Sequence, residues 1–342
     1  MGVTYTTAST GSVQTASDFA TPEIKTFYEM ELLDRALPEL YHCSFTKAGR
    51  IPERAGGTIE WRKAKALPVA TTPIVEGVTP ESTAGDWGYV TATPNWYGSY
   101  IRHSDVLQLT AIDDVVLEDS QRLGEQAGDT ADQLTRDLMV ASGTEQVVGQ
   151  SLITDITAND TLTADALLQA WATLKAQGAR GFDFIGNRLA VILHSFAWKD
   201  LMRDPEFRNA IQEAGVRSDD HPLFTGDVWD FMNMRFFITS NAKVGVDAGS
   251  STVDVYYTLV IARDAIGISG IGSAWFDMQL GMGGTGNRIM PVELIAKQVD
   301  SGGVENALNQ RGSIGWKASQ EEVELDANWL VRIEHACSMG AN

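Results

Sequence analysis

Residues Thr110 to Ser142 read TAIDDVVLEDSQRLGEQAGDTADQLTRDLMVAS, a run without a proline. Thr110 with Asp113 makes a capping-box-like start, and Asp114, Glu118 and Asp119 put negative charge at the positive end of a helix dipole. Ile112, Val116, Leu123, Ala127, Leu134, Leu138 and Ala141 mark one apolar stripe, and Gly143 supplies the stop. At 1.5 Å per residue this spacing predicts a rod of roughly 45–50 Å. The mean helix has about 11–12 residues. A rod of that length with a narrow stripe suits a flat body better than a globular one.

On the N-terminal side, residues 1–20 (MGVTYTTASTGSVQTASDFA) hold little charge or bulk and read as a flexible arm. Thr21-Pro22-Glu23 then opens a helix in which Ile24, Phe27, Tyr28, Leu32, Leu33 and Leu37 recur at helical spacing, up to Pro38. From about Ser44 to Ser104 the period becomes two. Thr58-Ile59-Glu60-Trp61-Arg62 and the series Trp87, Tyr89, Thr91, Thr93 read as strands. Between and after them, four prolines (Pro68, Pro73, Pro80, Pro94) and Gly77, Gly85 and Gly88 interrupt the chain. Such a hairpin is marginal alone and needs something to lie against.

On the C-terminal side, Thr163–Gln177 reads as a capped helix stopped by Gly178, and Leu189–His194 as a buried strand. Helices follow around 195–202 and 205–214, then strands at 235–239, 252–262, 292–298, 313–317 and 329–335. No internal repeat is visible.

Composition narrows the function. The net charge is −19, with 45 Asp plus Glu against 26 Lys plus Arg. A chain that gripped nucleic acid through its phosphates needs clustered cations, so sequence-specific DNA binding is not expected. An acidic surface can still enclose DNA loosely. No apolar run reaches the 18 or so residues of a membrane span, and the first 18 residues lack the basic start and apolar block of a signal peptide. Cys43 and Cys337 form no C-x-x-C pair and read as buried thiols.

Gly281-Met282-Gly283-Gly284-Thr285-Gly286 fits the G-x-G-x-x-G spacing of dinucleotide-binding enzymes. A working fingerprint joins a strand to a helix whose N-terminus meets the pyrophosphate. Here the next segment, Asn287 to Ile295, is β-like and contains Pro291, so the glycines read as a loop and no cofactor is expected. The histidines His42, His103, His194, His221 and His335 are scattered. His42 beside Cys43, and His335 near Cys337, lack zinc-site spacing and read as structural. Asp219-Asp220-His221 pairs carboxylate with imidazole, but no nucleophile accompanies it. No catalytic, cofactor-binding or metal-binding residue is expected, and the chain is not expected to be an enzyme.

The order of arm, helix, long β loop, spine helix, α/β body and β return resembles the major capsid proteins of tailed phages with the Hong Kong 97 fold. More narrowly, it is similar to the family of the phage N-four major coat protein. The resemblance is carried by Pro22-Glu23-Ile24-Lys25-Thr26-Phe27-Tyr28-Glu29, Leu32 to Pro38, Gly57 to Arg62, Ala70 to Pro80, Tyr97-Gly98-Ser99-Tyr100, Ser104 to Leu107, Leu123 to Ala127 and Leu308 to Lys317. It implies an α+β fold with an arm at 1–21, an N-terminal helix at 22–44 and an extended β loop at 45–104. It further implies a peripheral domain at 105–159 and 291–342, with the spine helix 110–142, and an axial domain at 160–290. The implied function is a homo-oligomeric shell subunit, in hexamers and pentamers, around a double-stranded DNA genome. It would be part of the virion, assembled in the bacterial host cytoplasm with portal, scaffolding and possibly decoration proteins. The resemblance carries no expectation of an internal scaffolding extension, so scaffolding would come from a separate protein or not be needed, and with no crosslinking Lys–Asn pair to place, noncovalent assembly is expected. The alternative is an encapsulin-like nanocompartment of the same fold.

Overall fold

The structure is a computed structural model that describes residues 40–52, 54, 56–110, 115–214, 230–271, 276–277, 288–290, 292–297 and 310–339. The arm 1–21, the helix expected over 21–37, Asp219-Asp220-His221 and Gly281–Gly286 lie outside the described residues. In chain order the first elements are β1 (Lys47–Ile51), β2 (Ile59–Ala64), β3 (Trp87–Ala92), β4 (Asn95–Ser104), α1 (Asp105–Thr110) and α2 (Val115–Ala141). Next come β5 (Thr144–Val147), α3 (Ala164–Ala176), β6 (Leu189–His194), α4 (Ser195–Leu201), α5 (Pro205–Ala214), β7 (Asp230–Phe231), β8 (Met234–Thr239) and β9 (Val244–Gly245). The chain returns through β10 (Val255–Ile261), β11 (Ile266–Ile271), β12 (Phe276–Asp277), β13 (Arg288–Met290), β14 (Val292–Lys297), β15 (Arg311–Glu324) and β16 (Leu330–His335).

The spine is present, with two corrections. Thr110 is the last residue of α1 rather than a cap. Ser104, the last residue of β4, caps α1: its Oγ accepts the Leu107 N–H at 3.2 Å and so satisfies an orphan donor of the first turn. The buried stripe of α2 agrees with the expected one at Leu123 and Ala127 and departs from it further on. It runs through Leu123, Ala127, Ala131, Thr135 and Met139 with Asp132 beside it, while Leu134 and Leu138 are half-buried and Ala141 is exposed. Polar residues at 132 and 135 hide this face from a reading based on apolar periodicity. The stop is as expected: Gly143 has φ +87°, where a side chain would also press on Leu330.

Two sheets flank the spine. One is five-stranded, in the order β1-β11-β15-β14, with β4 added along β15. The alternation in the sequence predicts β15 only over 313–317; the strand is far longer, pairing β4 and β14 with its first part and β11 with its last. Its inward residues Ile314, Trp316 and Ala318 pack with Ile268 against Leu123, Ala127 and Ala131 of α2. The other sheet is seven-stranded, in the order β5-β16-β10-β6-β8-β7, with β9 on β10. Leu189, Val191 and Leu193 of β6 face Leu167, Leu174, Leu201 and Phe207 from the helices α3, α4 and α5. Ala190 and Ile192 face Met139 of the spine, with Phe45, Phe182 and Phe237. Burial on both faces is why this strand reads as a continuous apolar run.

Helix α3 follows its expected ends closely, with the Thr163 Oγ1 accepting the Ala166 N–H at 3.3 Å. Strands cross the expected domain borders. β16, near the C-terminus, pairs with β10, and β11 pairs with β1 and β15. The segment 45–104 divides likewise. Its ends, β1 and β4, are sheet strands of the body, and what leaves the body is the part between them.

Candidate assembly surface

That departing part is built on the hairpin β2–β3, a separate antiparallel pair with Trp61 opposite Val90. Its base is fastened to the body. Trp61 packs where a side chain on Gly49 would stand, 2.4 Å from its Cζ2. Lys63 forms an ion pair with Asp326 and lies 4.9 Å from the Trp329 ring centroid. Beyond Lys65 these attachments end. Every residue from Arg62 to Trp87 is exposed, with no helix or strand over 65–86. Leu67, Val69 (85% exposed), Ile74, Val75 and Val78 project into solvent, and so do Trp87 and Tyr89 of β3. Full burial of one such aliphatic side chain contributes about 1.5–3 kcal/mol. So many exposed apolar side chains along one segment make it a candidate interaction site.

A second exposed surface lies on the five-stranded sheet, on the side away from the spine. On β4, Tyr97 and Ile101 turn inward, which leaves Trp96, Tyr100 and Arg102 outside. Lys317 of β15 stands 4.3 Å from the Trp96 ring centroid, and the Arg102 guanidinium 5.1 Å from that of Tyr100. Glu293, Ile295 and Lys297 of β14 complete the face. Sequence reading misses this surface because aromatic residues occupy both faces of β4, which defeats a simple alternation.

Under the spine His42 and Cys43 lie in a buried, hydrogen-bonded group. His42 Nδ1 lies 2.7 Å from Asp132 Oδ2, both side chains being 1% exposed. The Cys43 N–H donates to Asp132 Oδ1 at 3.3 Å, and Asn241 Nδ2 donates to Oδ2 at 2.8 Å. The Cys43 Sγ is 3.1 Å from Thr135 Oγ1, and burial, then the Asp132 carboxylate, push this thiol well above its ordinary range. On β15, burial raises the Glu322 carboxyl to about 7. Its Oε1 accepts from Gln320 Nε2 and, at 3.4 Å, from the Thr135 hydroxyl.

His335 and Cys337 sit in the other sheet. His335 Nε2 is 2.9 Å from the Thr258 hydroxyl, burial lowers its pKa to about 4, and burial likewise raises the Cys337 thiol. The His42–Cys43 and His335–Cys337 pairs thus have separate partners. Among the described residues no group of three or more His, Cys, Asp or Glu side chains is placed to hold a metal ion. No helix among them is long and apolar enough to cross a membrane. His103 of β4 and the half-buried His194, stacked edge-on to Phe196, are packed into the sheets. The described residues after Gly281–Gly286 form β13, which pairs antiparallel with β12, and then β14. Strands therefore stand where a dinucleotide fingerprint needs a helix to receive the pyrophosphate.

No protein-family model matches the chain. No curated protein matches it either. Solved structures do. The chain is 14% identical to the capsid asymmetric unit of cyanophage Pam1, with a TM-score of 0.64 over 94% of this chain and 99% of that one. For the capsid of cyanophage P-SCSP1u the values are 14%, 0.64, 94% and 97%. For the capsid of Ralstonia phage GP4 they are 13%, 0.63, 96% and 100%. At such identity the likeness is one of fold, and the fold of this chain is the Hong Kong 97-like α+β fold of those phage capsid chains.

Proposed function

We propose that the chain is the major capsid protein of a tailed bacteriophage, a subunit that self-assembles into the icosahedral head shell around double-stranded DNA. The observation that carries the proposal is the excursion beyond Lys65, whose aliphatic side chains are exposed, with no partner surface among the described residues of their own subunit. Such a segment acquires its order from another molecule, as folding coupled to association requires. The similarity in fold to phage capsids, over nearly the whole of both chains, makes a second copy the natural partner and favours the phage shell over an encapsulin-like compartment.

In this reading the role is structural, not catalytic. The peripheral domain is the spine with the five-stranded sheet, including segments 105–159 and 291–342. The axial domain is built on 160–290 around the seven-stranded sheet, to which β5 and β16 lend strands. Copies gather as hexamers and pentamers in the virion, after assembly in the host cytoplasm with portal, scaffolding and possibly decoration proteins. The narrower kinship with the N-four coat proteins rests on the sequence segments from Pro22 to Lys317 that carry the resemblance. Sedimentation of the purified chain tests the proposal. It should contain rings or shells far heavier than the 37.1 kDa subunit; a monomer at every concentration and salt would overturn it.

A further inference from the structure

Gly49 stands in the middle of β1 and, with Ile51, is buried there. A glycine inside a strand weakens it, having no side chain to pack. The backbone does not require one here, since φ at Gly49 lies outside the left-handed range. What this glycine provides is room. A Cβ on it would stand about 1 Å short of ordinary van der Waals contact with the Trp61 indole, and 2.7 Å from Ile59 Cδ1. Both of these side chains come from one face of the hairpin β2–β3 and both are half-buried. The other two aromatic residues of the hairpin, Trp87 and Tyr89, are exposed. Trp61 is therefore the knob that seats the hairpin on the body, and Gly49 is its hole. The hairpin shares no ladder with either sheet of the body, so its direction is set by side chains. These are Trp61 on its seat and, two residues on, Lys63 between Asp326 and the Trp329 ring. Leverage makes the seat matter. Pivoting on Lys63, about 7 Å further along β2, a lift of about 1 Å at Trp61 tilts the hairpin by about 8°. The excursion beyond it reaches up to roughly 40 Å when extended, so its far end swings by about 5–6 Å. Interface cores pack as closely as protein interiors, and a displacement of that size separates surfaces that otherwise touch.

We propose that Gly49 and Trp61 form the joint that aims the excursion out of the subunit. Gly49 is a positioning residue for assembly: by lacking a side chain it lets the indole lie against β1 and fixes the angle at which β2 and β3 leave the body. The joint rests on the shell reading and concerns the copy that extends the excursion.

Gly49→Ala tests it. The added methyl group lifts Trp61, while the core clusters of the two sheets are built from other residues. Particle yield should fall at least tenfold, with the thermal midpoint of the dissociated subunit unchanged. Trp61→Phe in the same chain removes the indole atoms that meet the methyl group, so the double variant should recover much of the yield. Trp61→Phe alone leaves the seat part empty and should lower the yield a few-fold, again without a change in unfolding. Gly57→Ala, just before β2 and with open space where its Cβ would go, should assemble as the parent does. Normal particle yield from Gly49→Ala would overturn the joint and leave the shell reading intact. So would a Gly49→Ala subunit whose unfolding midpoint falls together with the yield, which would make the contact one of stability alone, or a loss that Trp61→Phe does not restore. Failure of the unaltered chain to form particles would overturn both.

Discussion

Asp132 has two carboxylate oxygens and three nitrogens around them, from the His42 ring, the Cys43 backbone and the Asn241 side chain. It ties α2 to the short turn before β1 and to the turn after β8. Leaving those buried groups unsatisfied costs about 1–3 kcal/mol each. Asp132→Ala should therefore lower the unfolding free energy of the dissociated subunit by about 3 kcal/mol or more in urea titrations, and Asp132→Asn by clearly less. Glu322 makes a prediction about pH. Its carboxyl, raised to about 7 by burial, keeps a proton in the folded chain that the unfolded chain releases near the ordinary carboxylate value. Between about pH 4.5 and 7 the folded state binds more protons, so stability falls as pH rises through that window and then levels off. Glu322→Gln should remove this fall and leave the subunit roughly 2–3 kcal/mol more stable than the parent above pH 7. Near pH 4 the two should be equal. A parallel pair of stability–pH curves would refute the assignment.

At the scale of elements, the spine helix and its neighbours show where sequence is informative. Two of its glycines should respond oppositely to Ala. Gly143→Ala forces a side chain into a left-handed conformation against Leu330 and should cost about 1–3 kcal/mol. Gly124, inside α2 with open space where a Cβ would go, should gain about 0.5–1 kcal/mol from Gly124→Ala. Thermal unfolding of the dissociated subunits separates the two. Helices α3 and α5 and strand β6 are legible because their apolar spacing and end signals coincide with the largest core cluster. Strand β1, Lys-Ala-Gly-Arg-Ile, is not, since only Gly49 and Ile51 point into the body. Its parallel partner β11 lies far along the chain, and no local pattern announces that pairing. Apolar spacing misplaces the stripe of α2 because Asp132 and Thr135 are buried by means of hydrogen bonds that periodicity does not encode. The hairpin β2–β3 is legible as two strands. The outward course of Trp87 and Tyr89 is not, because an aromatic in an alternating strand ordinarily marks the covered face.

For the molecule as a whole, the described residues divide into a body with satisfied cores and an excursion whose apolar side chains have no cover of their own. The physical claim is that folding is completed by assembly: the surface missing from one copy belongs to the next. This explains together the exposed aliphatic excursion, the exposed aromatic residues of the sheet face and the capsid-like fold. Hydrogen exchange on residues 66–85, compared between dissociated subunits and purified particles, tests that claim most directly. The account predicts exchange at the rate of unstructured chain in the subunit and slowing by at least tenfold in the particle. Equal protection in both states would mean that the excursion is ordered by its own subunit, and equal exposure in both that no copy receives it; either result would contradict the account.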